Sequence, residues 1–323
     1  MIVRTPYRIS LLGGTTDAQE WLLNHSGEVI NTSIDKYCYI FIKRMPNYFT
    51  HKYRIVYREI EYAKELDDIK HQSVRECIRF SGINDGIELI HSGDVPARSG
   101  LGSSSSFTVG CMNALYSLQG KYIPREVLAR EAIYIEQKIL KENVGSQDQI
   151  AVSVGGFNRI IFDNGDFTIY PVITTKDRIK ELNNRLMLFY TKIERTSSDI
   201  IASYVSDINN KRMQQRINKE IANEGLRIIC SQADIRQIGD LLHEYWLMKK
   251  SLGNQISNNK IDELYELAIA NGAIGGKILG SGGGGCLLLF VEPHLQNKIK
   301  DLFKNLVYIP FEFENLGSHV WRN

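Results

Sequence analysis

The most informative stretch of this sequence is Pro96-Ala97-Arg98-Ser99-Gly100-Leu101-Gly102-Ser103-Ser104-Ser105-Ser106. It follows a segment that alternates like a strand, Ile87 to His91, and precedes apolar residues at helical spacing, Phe107 to Leu115. This order of strand, glycine turn and helix leaves unpaired backbone amides and the positive end of a helix dipole at the turn. Such a turn binds phosphate, and its serines can cap the helix or reach a magnesium ion.

A capped helix after a tight turn is the simpler interpretation of a glycine-serine turn. The turn is not a Walker loop, because the chain contains no GxxxxGK[ST] pattern. It also lacks the spacing of a dinucleotide-binding fingerprint. Two more glycine-rich segments, Gly13-Gly14 and Gly280 to Gly285, favour a ligand site. Four consecutive glycines would carry a high ordering cost in a mere hairpin, so close approach to a ligand explains them better.

The composition is that of an ordinary globular protein. The 323 residues are enough for two domains, and 43% hydrophobic residues can form a core without support from disulfide bonds or metal ions. The net charge of +2 gives no global argument for a nucleic-acid partner. Five cysteines without a CxxC pair are typical of a reducing compartment, and no apolar run is long enough to span a membrane. We therefore expect a cytoplasmic protein without a membrane partner.

Strand and helix patterns mix without a strict alternation, which predicts an α+β fold. Polar residues over 174–184 mark the expected domain boundary, giving an N-terminal domain over 1–175 and a C-terminal domain over 176–323. A helical pattern runs from Ser197 to about Leu252, with expected breaks near Asn223 to Gly225 and at Gln232.

The three glycine-rich segments resemble, in order and content, the three motifs of the GHMP kinases. These segments are Pro6 to Asp17, the central stretch, and Lys277 to Cys286, and the resemblance spans Pro6 to Val291. The resemblance implies a two-domain fold with ATP and substrate in the cleft between the domains. It also implies that the third motif brings the C-terminal domain's backbone close to that cleft.

The resemblance further implies that the central loop wraps the phosphates of ATP. The loop residues expected to bind the nucleotide are Pro96, Arg98, Ser99, Gly100, Leu101, Gly102, Ser103, Ser104 and Ser105.

Glu136 is the candidate metal ligand. Its neighbours three and four residues away are all apolar, namely Ala132, Ile133, Ile139 and Leu140. The carboxylate is therefore expected to point inward, and a surface pairing with Lys138 or Lys141 suits this spacing poorly. In the resembled family a glutamate on this helix binds Mg²⁺ together with a serine of the glycine loop. Ser104 is the first choice for that serine, and Ser103 is the second.

Asp148 and Arg8 are the candidate catalytic residues. The resembled family places an aspartate at the position of Asp148, facing the accepting hydroxyl as a base or as an orienting group. Arg8 matches the basic residue of the first motif and is expected to orient Asp148 or to offset charge on the transferred phosphoryl group. The family's glycine before that residue is replaced here by Tyr7.

The first motif also indicates the substrate class. Thr15, Thr16 and Asp17 fall where sugar kinases of this family hold substrate hydroxyls. The segments Gly13 to Asp17 and Gly27 to Tyr37 resemble those of the D-glycero-D-manno-heptose 7-phosphate kinases. That resemblance implies ATP- and Mg²⁺-dependent phosphorylation of the anomeric hydroxyl of D-glycero-α-D-manno-heptose 7-phosphate, giving the 1,7-bisphosphate. The sequence itself leaves the exact sugar and its anomer open.

Other functions stay open at this point. Fucokinases share much of the pattern, so a fucokinase-like or another sugar-1-kinase is an alternative. A catalytically silent protein that senses sugar and ATP is disfavoured, because Glu136 and Asp148 are both present. The oligomeric state is left open.

A phosphorylated acceptor needs cations beyond the ATP site. Arg195 and Ser197, with Ser198 beside them, lie where a strand is expected to run into a helix, and they are candidates for the acceptor's phosphate. A plain helix start with a serine cap explains the same residues equally well.

Overall fold

The computed structural model describes residues 1–193 and 208–321, whose thirteen strands form two sheets. The first sheet contains β1 (Ile2–Leu12), β2 (Gly27–Arg44), β3 (Tyr53–Val56), β4 (Ile60–Ala63), β5 (Ile87–Gly93), β6 (Phe157–Asp163), β7 (Asp166–Pro171), β12 (Phe313–Glu314) and β13 (His319–Trp321). The second contains β8 (Leu186–Tyr190), β9 (Ala273–Ile278), β10 (Cys286–Val291) and β11 (Val307–Tyr308).

Strand β2 organises the first sheet because it is long enough to pair with different strands along its length. Its first half pairs with β6, beginning at Gly27 opposite Phe162, and its second half pairs with β5, beginning at Cys38 opposite Gly93. Strand β1 runs antiparallel along its other edge and is buried over almost all of its length. The buried strands β1 and β2 thus form the part of the first sheet on which helices pack.

The helices span Gln19–Leu22, Gln72–Ser81, Ser103–Leu118, Arg125–Tyr134, Gln147–Val154, Lys176–Asn183, Arg212–Ile229, Gln237–Lys250, Asn259–Ala270 and Gln296–Leu302. The helix Ser103–Leu118 packs across β1 and β2, and the helix Gln237–Lys250 packs on β9. In the part of the chain that the structure describes, no helix combines the length and the hydrophobicity needed to cross a membrane. This mixed arrangement is an α+β fold, as the sequence pattern predicted.

The second sheet is antiparallel in the order β11-β8-β10-β9. After it is complete, the chain returns to the first sheet, where β12 pairs with β2 and β13 pairs with β1. The sequence pattern did not indicate this return. The domain division at residue 175 stays a prediction.

Candidate active site

A cavity of about 720 Å³ is lined by residues from all three glycine-rich segments. The residues predicted from sequence that line it are Arg8, Thr15, Asp17, Arg98, Gly100, Gly102, Ser103, Ser104, Ser105 and Asp148. The predicted residues that do not line it are Thr16, Pro96, Ser99, Leu101 and Glu136. Arg195 and Ser197 lie outside the described residues.

The central loop has left-handed backbone at alternate positions. Arg98, Gly100 and Gly102 have φ values of 59°, 79° and 76°, whereas Ser99 and Leu101 do not have positive φ. Alternation of this kind makes a concave row of amides that binds anions. Gly102 directly precedes the helix Ser103–Leu118, whose first amides have no intrahelical partner. The loop therefore has a backbone geometry that suits an anion such as phosphate.

The third glycine segment packs its backbone directly on this loop. A Cβ atom on Gly280 would lie 2.9 Å from the Cα of Gly100, so a side chain there would force the two segments apart. The amide of Cys286 donates a hydrogen bond to the carbonyl of Ser99 at 2.8 Å. This close backbone contact brings the second sheet to the loop, whereas the close approach to a ligand that the glycines suggested stays a prediction.

Arg8 and Asp148 form a bidentate ion pair. The Nε and Nη2 atoms of Arg8 donate to Oδ1 and Oδ2 of Asp148, each at 2.7 Å. The Nη1 atom donates to the carbonyl of Gly100, also at 2.7 Å, so the arginine joins the aspartate to the phosphate loop. Arg8 is 3% exposed and Asp148 is 26% exposed, which leaves the carboxylate accessible from the cavity. Asp148 lies in the first turn of its helix, where the dipole favours a negative charge.

Asp17 is buried at the edge of the same cavity. Its carboxylate accepts from the amide of Thr15 and from both the amide and the side chain of Gln147, at 3.0–3.1 Å. Burial raises its pKa, and the nearby charge of Asp148 raises it further. Gly145 makes room for it, because a Cβ there would lie 2.0 Å from Oδ2 of Asp17.

The two threonines of the first motif have different surroundings. The hydroxyl of Thr15 donates to the side chain of Gln215 at 3.1 Å, and Thr15 lines the cavity. The hydroxyl of Thr16 donates to the carbonyl of Gly13 at 2.8 Å and accepts from the amide of Glu28 at 2.9 Å. Thr16 therefore fastens the turn to β2, although the sequence suggested a position facing the substrate.

Glu136 is fully buried, as its apolar neighbours predicted. It lies in a π-helical turn, Ile135–Ile139, a feature that is frequent at functional sites. Its Oε2 accepts from Ser105 at 3.1 Å and from Gln149 at 2.5 Å, whereas Oε1 has no hydrogen-bond partner among the described residues. Burial raises the pKa of this carboxyl to about 8. The serine that contacts it here is Ser105, whereas Ser104 is exposed in the cavity.

An orphaned, buried carboxylate oxygen beside a serine hydroxyl fits a hard cation such as Mg²⁺, which prefers oxygen ligands. Without a cation, the raised pKa of Glu136 would keep it largely protonated at neutral pH. The residues present thus fit the metal that the resemblance implied.

One end of the cavity is aromatic. The ring of His71 stacks on Phe107 with centroids 5.0 Å apart, and the rings of His91 and Tyr57 pack edge-on against this pair. Burial lowers the pKa of both histidines, that of His91 to about 4, so this surface is uncharged at neutral pH. Sequence reasoning missed these residues, because rings spread over four separate segments leave no motif.

Two buried lysines, Lys249 and Lys277, also line the cavity, and no sequence pattern predicted a role for either. Lys277 lies at the start of the third glycine segment, but Lys249 lies on a helix that is distant in sequence from all three motifs. Only the packing of the second sheet against the loop brings them to the site.

Comparison with known proteins agrees with this geometry. Residues 64–156 match the GHMP kinases N terminal domain, and residues 226–307 match the GHMP kinases C terminal domain. The chain is 30% identical to the D-glycero-alpha-D-manno-heptose 7-phosphate kinase of Campylobacter jejuni, over 99% of this chain and 98% of that protein.

More distant relatives differ in the sugar that they are named for. The chain is 24% identical to a bifunctional fucokinase/GDP-fucose pyrophosphorylase of Arabidopsis thaliana, over 94% of this chain and 31% of that protein. A crystal structure of a D-glycero-D-manno-heptose 1-phosphate kinase from Bacteroides thetaiotaomicron superposes with a TM-score of 0.82. It is 22% identical and covers 100% of this chain and 99% of that one.

Proposed function

We propose that this chain, which belongs to the GHMP kinases, phosphorylates the anomeric hydroxyl of D-glycero-α-D-manno-heptose 7-phosphate. The chain is a sugar kinase of this superfamily, whose members use ATP as the phosphate donor. The product would carry phosphates on carbons 1 and 7. The observation that carries the proposal is the Arg8–Asp148 pair, which lines one cavity with the glycine-serine loop and Asp17.

The nucleotide would lie along the loop. The amides at the start of the helix Ser103–Leu118 would hold its phosphates, and the aromatic end around His71 and Phe107 would accept its base. The uncharged state of the two histidines supports this, because a neutral ring stacks on a base without desolvating a charge.

Asp148 would act on the acceptor hydroxyl, either as the base that takes its proton or as the group that orients it. Arg8 would fix the carboxylate through its two hydrogen bonds and offset the charge that develops on the transferred phosphoryl group. Phosphoryl transfer gains mainly from such positioning and charge neutralisation.

Glu136 would hold Mg²⁺ together with Ser104, with Ser103 as the second choice. When bound, this ion supplies charge neutralisation on the phosphates. The unpartnered Oε1 atom of Glu136 supports a cation here. Ser105, which touches the carboxylate, would orient it.

Asp17 and Thr15 would hold hydroxyls of the sugar. Three N–H donors keep the carboxyl of Asp17 in one orientation at the cavity edge. A contact between Thr16 and the sugar stays a prediction from the sequence alone, because the hydroxyl of Thr16 already bonds to backbone groups of Gly13 and Glu28. Arg195 and Ser197 remain the predicted site for the acceptor's own phosphate.

An acceptor panel tests the substrate. ADP release would be measured with heptose 7-phosphate, heptose 1-phosphate, the free heptose and L-fucose, because the relatives are named for heptose phosphates and fucose. We expect the highest kcat/KM for the 7-phosphate, with free heptose about 10- to 100-fold poorer because a charge-assisted contact is lost. A clear preference for L-fucose or for the 1-phosphate would overturn this substrate. Absence of ADP release with all four sugars would overturn the proposed sugar.

A further inference from the structure

The cavity contains two buried amines that none of the roles above uses. Lys249 ends the helix Gln237–Lys250, and Lys277 lies near the end of β9. They are 2% and 1% exposed. The Nζ atom of Lys249 donates to the carbonyl of Gly280 at 2.5 Å, and that of Lys277 donates to the carbonyl of Leu11 at 3.0 Å. Both amines are thus anchored to backbone of the first and third glycine segments.

Neither amine has a carboxylate within 4 Å in residues 1–193 and 208–321. The charged groups that act on Lys249 are Arg8, which opposes its charge, and Asp17 and Asp148, which favour it. Lys277 is opposed by both Lys249 and Arg8, and its Nζ lies 4.0 Å above the ring of Tyr245. Asp148 neutralises Arg8, and Asp17 can offset only one of the two lysine charges, so the site would hold excess positive charge with both lysines protonated.

Burial without an anion is costly for an ammonium group, and a group in that position loses its proton or gains an anionic partner. Burial lowers the pKa of Lys249 to about 7 and that of Lys277 well below its ordinary value. Apolar side chains would fill the same space at less cost. A pair of lysines that faces a cavity next to a phosphate loop is therefore matched to an anionic ligand.

We propose that Lys249 and Lys277 form a binding site for a phosphate group in the wall of the cavity. This inference rests on the proposed function. That reaction offers two phosphate groups of the same chemistry, namely the phosphoryl group that ATP transfers and the phosphate that a sugar phosphate acceptor carries. Each lysine keeps two N–H donors beyond its backbone bond, which suits the oxygens of a phosphate.

The direct test is the binding of inorganic phosphate, measured by calorimetry on the full chain saturated with ADP. ADP fills the loop, so the phosphate reports the remaining anion site. Lys249→Met and Lys277→Met retain the length of the side chain without its charge, and we expect each to raise the Kd for phosphate at least about tenfold. Lys250→Met is the matched control, because Lys250 is the next residue, pairs with Asp262 at 3.0 Å and does not line this cavity. It should leave the Kd unchanged.

Replacing ADP with AMPPNP in the parent protein distinguishes the two candidate ligands, which are the phosphoryl group that ATP transfers and the acceptor's own phosphate. Phosphate binding that disappears with AMPPNP assigns the site to the transferred phosphoryl group, and binding that persists assigns it to the acceptor's phosphate. A parental Kd for phosphate in both folded lysine variants would overturn the proposal, as would failure of the ADP-saturated parent to bind phosphate. Because no sugar is present, these outcomes are independent of the acceptor panel.

Discussion

Both carboxylate oxygens of Asp148 accept hydrogen bonds from the guanidinium group of Arg8, at 2.7 Å each. The pair joins β1 to the first turn of the helix Gln147–Val154, and the Nη1 atom of Arg8 donates to the carbonyl of Gly100 in the central loop. One buried arginine therefore fixes the candidate catalytic carboxylate relative to the loop.

Asp148→Asn should lower kcat by about 10²-fold or more and leave the Kd for ATP nearly unchanged, because the amide cannot take a proton from the acceptor. Steady-state kinetics and calorimetry check the two effects. Asp163→Asn, an exposed aspartate at the end of β6, is the control and should retain parental kinetics. Turnover of Asp148→Asn within a fewfold of the parent would remove this residue from the mechanism.

Glu136→Gln should raise the Mg²⁺ concentration needed for half-maximal rate, because the amide cannot become the carboxylate that would hold the cation. A Mg²⁺ titration of the rate at saturating ATP checks this. Glu131→Gln alters a half-buried glutamate on the preceding helix and should leave the titration unchanged. If Glu136→Gln had an unaltered Mg²⁺ requirement and rate, Glu136 would have a structural role only.

Gly145→Ala should raise KM for the acceptor more than KM for ATP, because the new Cβ would displace the Asp17 carboxylate from 2.0 Å away. We expect an increase of at least about tenfold, the loss of one charge-assisted contact. Gly82→Ala is the control: it strains a left-handed helix end remote from the cavity, so it should lower stability without changing KM. Equal effects of Gly145→Ala on both KM values would argue against a substrate role for Asp17.

Lys249→Met should raise the free energy of unfolding of the ligand-free protein at neutral pH, by about 1–3 kcal/mol, because it removes a buried ammonium. The pKa of Lys249 is about 7 when folded and 10.5 in the reference state, so the unfolded chain binds more protons between these values. Its contribution to stability therefore rises with pH over this window, and the variant should lose that rise.

Urea unfolding at several pH values measures this effect, with Lys250→Met as the control that keeps the parental slope. A destabilised Lys249→Met at neutral pH would show that the hydrogen bond to Gly280 is a net structural contribution. Loss of phosphate binding combined with gained stability is the pattern that a structural lysine would not produce.

Much of the candidate site could be predicted from local sequence patterns. The glycine-serine loop, the burial of Glu136 and the backbone approach of the third segment all follow from residue types whose geometry is set within a few positions. Left-handed positions favour glycine, which stands at two of the three in this loop, Gly100 and Gly102. An inward carboxylate is indicated by its apolar neighbours at helical spacing.

Tertiary packing decided what the local patterns did not. A helix break was expected near Gly225, but the helix Arg212–Ile229 continues through it because this glycine lets the helix pack closely on Leu12. A Cβ there would lie 2.2 Å from a methyl group of Leu12. Lys249 likewise gave no signal, since its burial depends on a cavity that forms only when distant segments meet.

The position of the new phosphate on the sugar is the most direct test of the proposed phosphorylation at the anomeric hydroxyl. The measurement is ³¹P and ¹³C NMR of the product formed from D-glycero-α-D-manno-heptose 7-phosphate, ATP and the parent protein. We predict a second phosphate whose phosphorus couples to the anomeric carbon, together with the retained signal of the phosphate at carbon 7. A product phosphorylated at any other carbon, or an unchanged sugar phosphate under conditions where L-fucose is phosphorylated, would contradict the account.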